Sequence, residues 1–257
     1  MAARVMPLPL LAAVACAPLA GCDPRPSTPE VARKASTAED TSALTRARQE
    51  MVAEQIEARG VHDARVLEVM RRVPRHEFVG EAYRQLAYDD SPLPIEDDQT
   101  ISQPYIVALM TELADVQPGE KVLEVGTGSG YQAAVLSALG AEVYSIEIMP
   151  GLAQSARARL QRLGYPAQVR HGDGYAGWPE HAPFAAIIIT AAPPSVPAPL
   201  QEQLAVGGRL VVPVGEGVQD LWVWTRTEGG WDKRNVLPVR FVPMTGQAQQ
   251  RVVPGTR

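Results

Sequence analysis

Lys121-Val122-Leu123-Glu124-Val125-Gly126-Thr127-Gly128-Ser129-Gly130-Tyr131 decides the fold of this chain. Lys121 to Val125 reads as a mostly apolar strand, and alternating glycines then turn the chain. Residues 131–139, rich in alanine and leucine, read as the helix that follows. Strand, glycine turn and helix together make the first unit of a nucleotide-binding sheet. At Gly126 and Gly128 a missing Cβ lets a ligand approach the backbone.

The same alternation continues downstream. Residues 142–146, 167–170, 184–190 and 209–214 read as strands, separated by helices over 151–163 and 199–204. Strands that alternate with helices predict an α/β fold, a doubly wound, mostly parallel Rossmann-like sheet covered on both faces. Residues 221–227 and 236–242 are expected to close it as antiparallel strands, turning through Glu228-Gly229-Gly230.

Upstream, residues 41–59 have helical spacing, with Leu44, Met51, Val52 and Ile56 on one face and Gly60 as the stop. Asp63 can cap a second helix that Pro74 ends, and Pro104 fits the first turn of a third helix running to about residue 114. The stretch between them, residues 88–103, reads as irregular.

Ligand chemistry falls at three successive strand ends, as expected at the carboxyl edge of an open α/β sheet. Gly126, Thr127, Gly128 and Ser129 form the first turn. Glu147, about 20 residues later, stands where a carboxylate accepts hydrogen bonds from ribose hydroxyls. Gly172 and Asp173 follow the third strand; Asp173 can accept from an adenine amino group, or can serve as an Asx-turn residue between glycines. The glycine spacing is Gly-x-Gly-x-Gly rather than the Gly-x-Gly-x-x-Gly favoured by dinucleotide enzymes.

Composition removes several function classes. Net charge is −5 over 257 residues, so there is no basic footprint for nucleic acid. Cys16 and Cys22 are the only cysteines, which leaves the body of the chain without a catalytic thiol or a cysteine zinc site. His62, His76 and His181 read as surface or packing residues, and the four tryptophans as core or sheet-face residues. No metal site is expected, although Asp89, Asp90, Glu96, Asp97 and Asp98 are the one acidic group that a metal-dependent reading could use.

The N-terminus reads as a targeting segment. Arg4 precedes a short apolar run, and Leu19-Ala20-Gly21-Cys22 follows. The expected organisation is a signal peptide over 1–21, a Pro-rich tether over 22–40 and a catalytic domain over 41–257. The Leu-Ala-Gly-Cys run resembles a bacterial lipoprotein processing site, which implies lipidation of Cys22 and an exported, membrane-anchored protein facing the periplasm. The alternative is a cytoplasmic protein with a meaningless leader.

Two further resemblances bear on function. Glu124 to Gly130 resembles motif I of the class I methyltransferases, and S-adenosylmethionine carries no phosphate to anchor. Several stretches resemble the protein-L-isoaspartate O-methyltransferase family. They are Val73-Pro74-Arg75-His76-Glu77-Phe78-Val79, Gln99-Thr100-Ile101-Ser102-Gln103-Pro104-Tyr105, the motif above, His171-Gly172-Asp173-Gly174, Thr190-Ala191-Ala192-Pro193-Pro194, residues 207–215 and Arg240-Phe241-Val242-Pro243. They run in family order from about Thr45 onward, and Thr-Ile-Ser-Gln-Pro is the most specific.

That resemblance implies methyl transfer from S-adenosylmethionine to the free carboxylate of L-isoaspartyl residues in damaged proteins; the chain is expected to be a monomer. It implies Ser102 as the active-site residue that orients the acceptor carboxylate, unless Ser102 only caps the helix at Pro104. Thr100 would border the cofactor, with Ile101, Tyr105, Val214 and Thr245 on the substrate side. The substrate peptide is expected along the backbone of 212–215, adding as a strand.

One departure stands out. The family usually has a Gly-x-Gly turn where this chain reads Glu96-Asp97-Asp98, which adds carboxylates beside the expected substrate site. The competing readings are a class I methyltransferase with another acceptor, and a tethered binding module without turnover.

Overall fold

In the computed structural model, residues 42–250 are described, with side chains through residue 249. The expected signal peptide, the tether and Cys22 lie outside the described residues. Strands β3 (Lys121–Val125), β4 (Glu142–Glu147), β5 (Ala167–His171), β6 (Phe184–Ile189), β7 (Leu204–Val214), β8 (Gln219–Thr227) and β9 (Gly230–Val239) form a seven-stranded sheet, in the order β5-β4-β3-β6-β7-β8-β9. The pairs from β5 to β7 are parallel, and β8 and β9 are antiparallel, as the sequence predicts. The chain leaves β3 toward β4 on one side and returns to β6 on the other. The strand order therefore reverses beside β3, which opens a crevice at the ends of β3 and β6.

Strand β7 begins at Leu204, five residues before the expected start. Gly207 and Gly208 lie inside the strand, Gly207 with a left-handed φ of 84° and Gly208 in close approach to its neighbour. Leu204 already pairs with Phe184, and a Cβ on Gly208 would lie 2.8 Å from the Ala185 carbonyl oxygen.

Helices cover both faces. Helix α1 runs over 42–50, then widens to a π turn over Met51–Ile56 and tightens over Glu57–Arg59 before Gly60 at φ 93°. The expected end is met, and the π turn buries Met51, Val52 and Ile56 together. Helix α2 (Ala64–Arg72) starts at Asp63, whose carboxylate accepts from the backbone N–H of Arg65 at 2.7 Å and of Val66 at 3.4 Å. Asp63→Ala is expected to cost about 1 kcal/mol through loss of this cap. That is a fall of roughly 2–4 °C in the thermal unfolding midpoint of a domain this size, and Asp63→Asn, whose amide oxygen can accept the same bonds, should keep most of the parental stability.

The Val73–Val79 stretch is structural. Phe78 is fully buried against Tyr131, and Arg75 is fully buried with Nε donating to the Ala87 carbonyl at 2.8 Å.

The region predicted to be irregular contains a two-stranded hairpin, β1 (Leu93–Pro94) with β2 (Thr100–Ile101), joined by the Glu96-Asp97-Asp98 turn. Two-residue strands with a proline in one carry no readable alternation. The hairpin delivers Thr100, Ile101 and Ser102 to the start of α3 (Pro104–Ala114). Helices α4 (Tyr131–Ala138), α5 (Pro150–Leu163), α6 (Ala198–Glu202) and the short α7 (Gln247–Gln250) complete the layers. Among the described residues, no helix is long and apolar enough to cross a membrane.

Candidate active site

A cavity of about 340 Å³ opens at the carboxyl ends of β3, β4 and β6. Gly126 to Ser129 form its floor, with Glu147 on one side, Thr190 on another and Thr100 to Ser102 above. Gly126 has φ 98°, and a Cβ there would collide with Oγ1 of Thr190. That hydroxyl donates to the Gly126 carbonyl at 2.6 Å, so the turn is locked against the end of β6. Glu147 is held by two backbone donors, the N–H of Gly128 at 2.7 Å and of Met149 at 3.0 Å. Its carboxylate is thereby oriented before any ligand arrives.

Glu124 lies beneath the turn and is fully buried. Its Oε2 accepts from the Ser145 hydroxyl at 2.5 Å, and Ser145 pairs in turn with Thr127 Oγ1 at 2.5 Å. Its Oε1 has no hydrogen-bond partner. Burial pushes the Glu124 pKa up to about 8, against the Ser145 hydrogen bond and with help from the Glu147 charge. The group therefore holds a proton at neutral pH in the folded chain. Its folded pKa lies above its unfolded one, so its stabilising contribution is whole at low pH and is lost as pH rises from about 4.5 to about 8. Glu124→Gln should gain stability relative to the parent between pH 5.5 and pH 9, read as a widening difference in unfolding midpoint. Parallel pH profiles would refute this.

A second cavity, of about 440 Å³, adjoins the first through Thr100, Ser102, Thr190 and Val242. Arg59, Tyr105 and Arg240 line its far side, with the Arg59 guanidinium 3.6 Å from the Tyr105 ring centre and paired to Asp90 at 2.9 Å. Ser102 thus borders both cavities. The N-cap of α3 is Gln103, and no side chain caps that helix, so the Ser102 hydroxyl is not used as a cap.

The structure brings most of the expected residues together. Thr100, Ile101, Ser102, Gly126, Thr127, Gly128, Ser129, Glu147 and Thr245 line the first cavity, and Tyr105 lines the second. Gly172 and Asp173 line neither; Gly174 takes their place. The Asp173 carboxylate accepts from the N–H of Tyr175 at 2.9 Å and of Gln247 at 2.8 Å, which is the Asx-turn alternative extended to α7. Val214 also lines neither cavity. It pairs with Asp220 of β8, so the sheet edge expected at 212–215 is occupied by the closing hairpin. The outer strand is β9, and its Leu237 to Val239 end borders the second cavity.

Comparison with known proteins identifies the family. Residues 46–249 match the family model for protein-L-isoaspartate(D-aspartate) O-methyltransferase. The chain belongs to that family. A protein-L-isoaspartate O-methyltransferase of Gloeobacter violaceus is 58% identical over 203 residues, 78% of this chain and 99% of its own. One from Syntrophobacter fumaroxidans is 55% identical over 204 residues, covering 79% and 95%. A solved protein-L-isoaspartate O-methyltransferase is 30% identical with a TM-score of 0.72, covering 78% of this chain and 67% of that one. A Plasmodium falciparum structure described as a member of the same enzyme class, in complex with S-adenosyl-L-homocysteine, is 26% identical with a TM-score of 0.67, covering 77% and 98%.

Within this O-methyltransferase, sequence reasoning missed Asp98, Gln132, Met149, Thr190, Val242 and Met244 as cavity residues. Thr190 was within reach, because it follows β6 at the same carboxyl edge as the other strand ends. Gln132, Val242 and Met244 reach the cavity only through tertiary packing.

Proposed function

We infer that this chain transfers a methyl group from S-adenosyl-L-methionine to the free carboxylate of L-isoaspartyl residues in damaged polypeptides. The observation that carries the reading is Ser102 standing between a donor-sized cavity and an open groove.

The first cavity fits the donor. Its volume, about 340 Å³, is in the range of small-molecule sites. Gly126 and Gly128 leave the floor free of Cβ atoms, and the preset Glu147 carboxylate suits a pair of ribose hydroxyls. When bound, S-adenosylmethionine supplies an activated methyl group on a sulfonium.

The chain's own residues have three tasks. Glu147 and the Gly126–Ser129 turn hold the donor, and Thr100 closes the cavity above it. Ser102 donates a hydrogen bond to the acceptor carboxylate and aims one oxygen at the methyl carbon. Ile101 and Thr245 shape the boundary, and Tyr105 walls the acceptor groove. An acceptor carboxylate with a pKa near ~4 is already ionised at neutral pH, so no general base is required. Orientation alone can contribute several kcal/mol, up to about 7–11. A backbone added at the β9 end would reach the same groove, and this replaces the 212–215 segment as the surface for an extended peptide.

The deciding experiment compares methyl transfer to an isoaspartyl peptide and to its normal aspartyl counterpart. Selective methylation of the first is expected, and equal rates on both would defeat the reading. Donor binding without turnover on either would favour a tethered binding module.

We also propose export and lipidation at Cys22, on the strength of the Leu19-Ala20-Gly21-Cys22 run. Mass spectrometry of the mature N-terminus should find a lipidated Cys22, and an unprocessed Met1 would refute it. Both cavities are built from one chain, so the reading needs no second copy, and a monomer is expected by light scattering.

A further inference from the structure

The Glu96-Asp97-Asp98 turn between β1 and β2 sets three carboxylates near a site for a negatively charged acceptor. Asp97 and Asp98 keep glycine-like left-handed backbone, at φ 56° and 54°. The three acids are directed differently.

Glu96 pairs with Arg159 of α5 at 3.5 Å. The Asp97 carboxylate approaches Gly151 in the first turn of α5, where a Cβ would lie 3.3 Å from its Oδ2. Asp98 alone lines the donor cavity, and none of the three lines the acceptor groove. Asp98 is exposed and makes no hydrogen bond or ion pair with any described residue. The same cavity receives the fully buried Glu124, whose Oε1 is unpartnered.

We propose that Asp98 is a charge-selecting residue of the donor site, favouring the cationic S-adenosylmethionine over the neutral S-adenosylhomocysteine left after transfer. The proposal rests on the methyltransferase reading above. The donor carries a sulfonium and an ammonium against one carboxylate, a net charge of +1. When the methyl group moves to the acceptor oxygen, the S–CH₃ bond breaks and its electron pair stays on sulfur. The product is then a neutral zwitterion. A fixed carboxylate at the cavity wall attracts the first by a Coulomb term that it does not offer the second. The effect is modest because Asp98 is in contact with water, and salt screens it. It acts on exchange of product for donor, not on the acceptor.

The test is calorimetric titration of the full chain with S-adenosylmethionine and, separately, with S-adenosylhomocysteine. Asp98→Asn is the informative variant, because asparagine tolerates left-handed backbone as well as aspartate does. Its donor Kd should rise about threefold at low salt, with the product Kd unchanged, and the difference should shrink at high salt. Asp97→Asn, directed at α5, should leave both constants alone. The KM for an isoaspartyl peptide should not fall in Asp98→Asn. Equal shifts for both ligands, no shift for either, or a lowered acceptor KM would overturn the proposal. Binding of S-adenosylhomocysteine in parent and variant alike would keep the donor-site reading intact even then. Loss of all binding by the parent would overturn that reading instead.

Discussion

Replacing Ser102 with alanine is expected to lower kcat for an isoaspartyl peptide by about 10- to 100-fold, because a hydrogen bond to a charged group contributes about 1.5–3 kcal/mol. Donor affinity should stay within about twofold. The split follows from position. Ser102 borders both cavities, and its hydroxyl has no partner among the described residues. It does not cap α3 either, since that position is Gln103. The alanine variant should therefore fold as the parent does, with an unchanged unfolding midpoint, and lose only the orienting contact. Steady-state kinetics with saturating donor, alongside donor titration, separates these effects. An alanine variant with parental kcat would remove Ser102 from the mechanism.

Gly126→Ala should have the largest effect on the protein itself. Its φ of 98° is costly for any residue with a Cβ, and the added atom would strike the Thr190 hydroxyl that locks the turn. Strain and overpacking together are expected to cost about 2–4 kcal/mol. That corresponds to a fall of roughly 5–15 °C in unfolding midpoint for a domain of this size. Donor binding should fall below detection by calorimetry, since the displaced turn also carries the Gly128 N–H that orients Glu147. Gly126→Ala combined with Thr190→Ala removes the collision but keeps the backbone strain, so part of the stability should return. Simple additivity of the two single variants would show that the clash is not the cause.

The alternating strands and helices from Lys121 onward were legible because each buried strand must be apolar on both faces and each helix must carry a stripe. Register within the hairpin and the start of β7 were not. A glycine has the same letter in a turn as in a strand where, as at Gly208, a neighbouring carbonyl sits too close for a Cβ. The Thr100-Ile101-Ser102 run was legible through family resemblance, but its two-residue strand is stabilised by pairing with Leu93 and Pro94 rather than by its own pattern. Asp173 shows the opposite case. One residue between glycines suits either a ligand or a turn, and the bond from Gln247, 74 residues away, joins that of Tyr175 on its carboxylate through tertiary packing alone.

By itself, the order of residues determined the fold class, the carboxyl-edge location of the site and its glycine turn, Glu147 and the Thr100–Ser102 run. These depend on local preference and on strand order, both written along the chain. The tertiary structure alone decided that Ser102 is shared between two cavities, that β8 and β9 displace the open edge from 212–215, and that Asp98 lines the first cavity while Asp97 approaches α5. Those are matters of direction between distant segments, set by how the elements pack, and no local pattern encodes them.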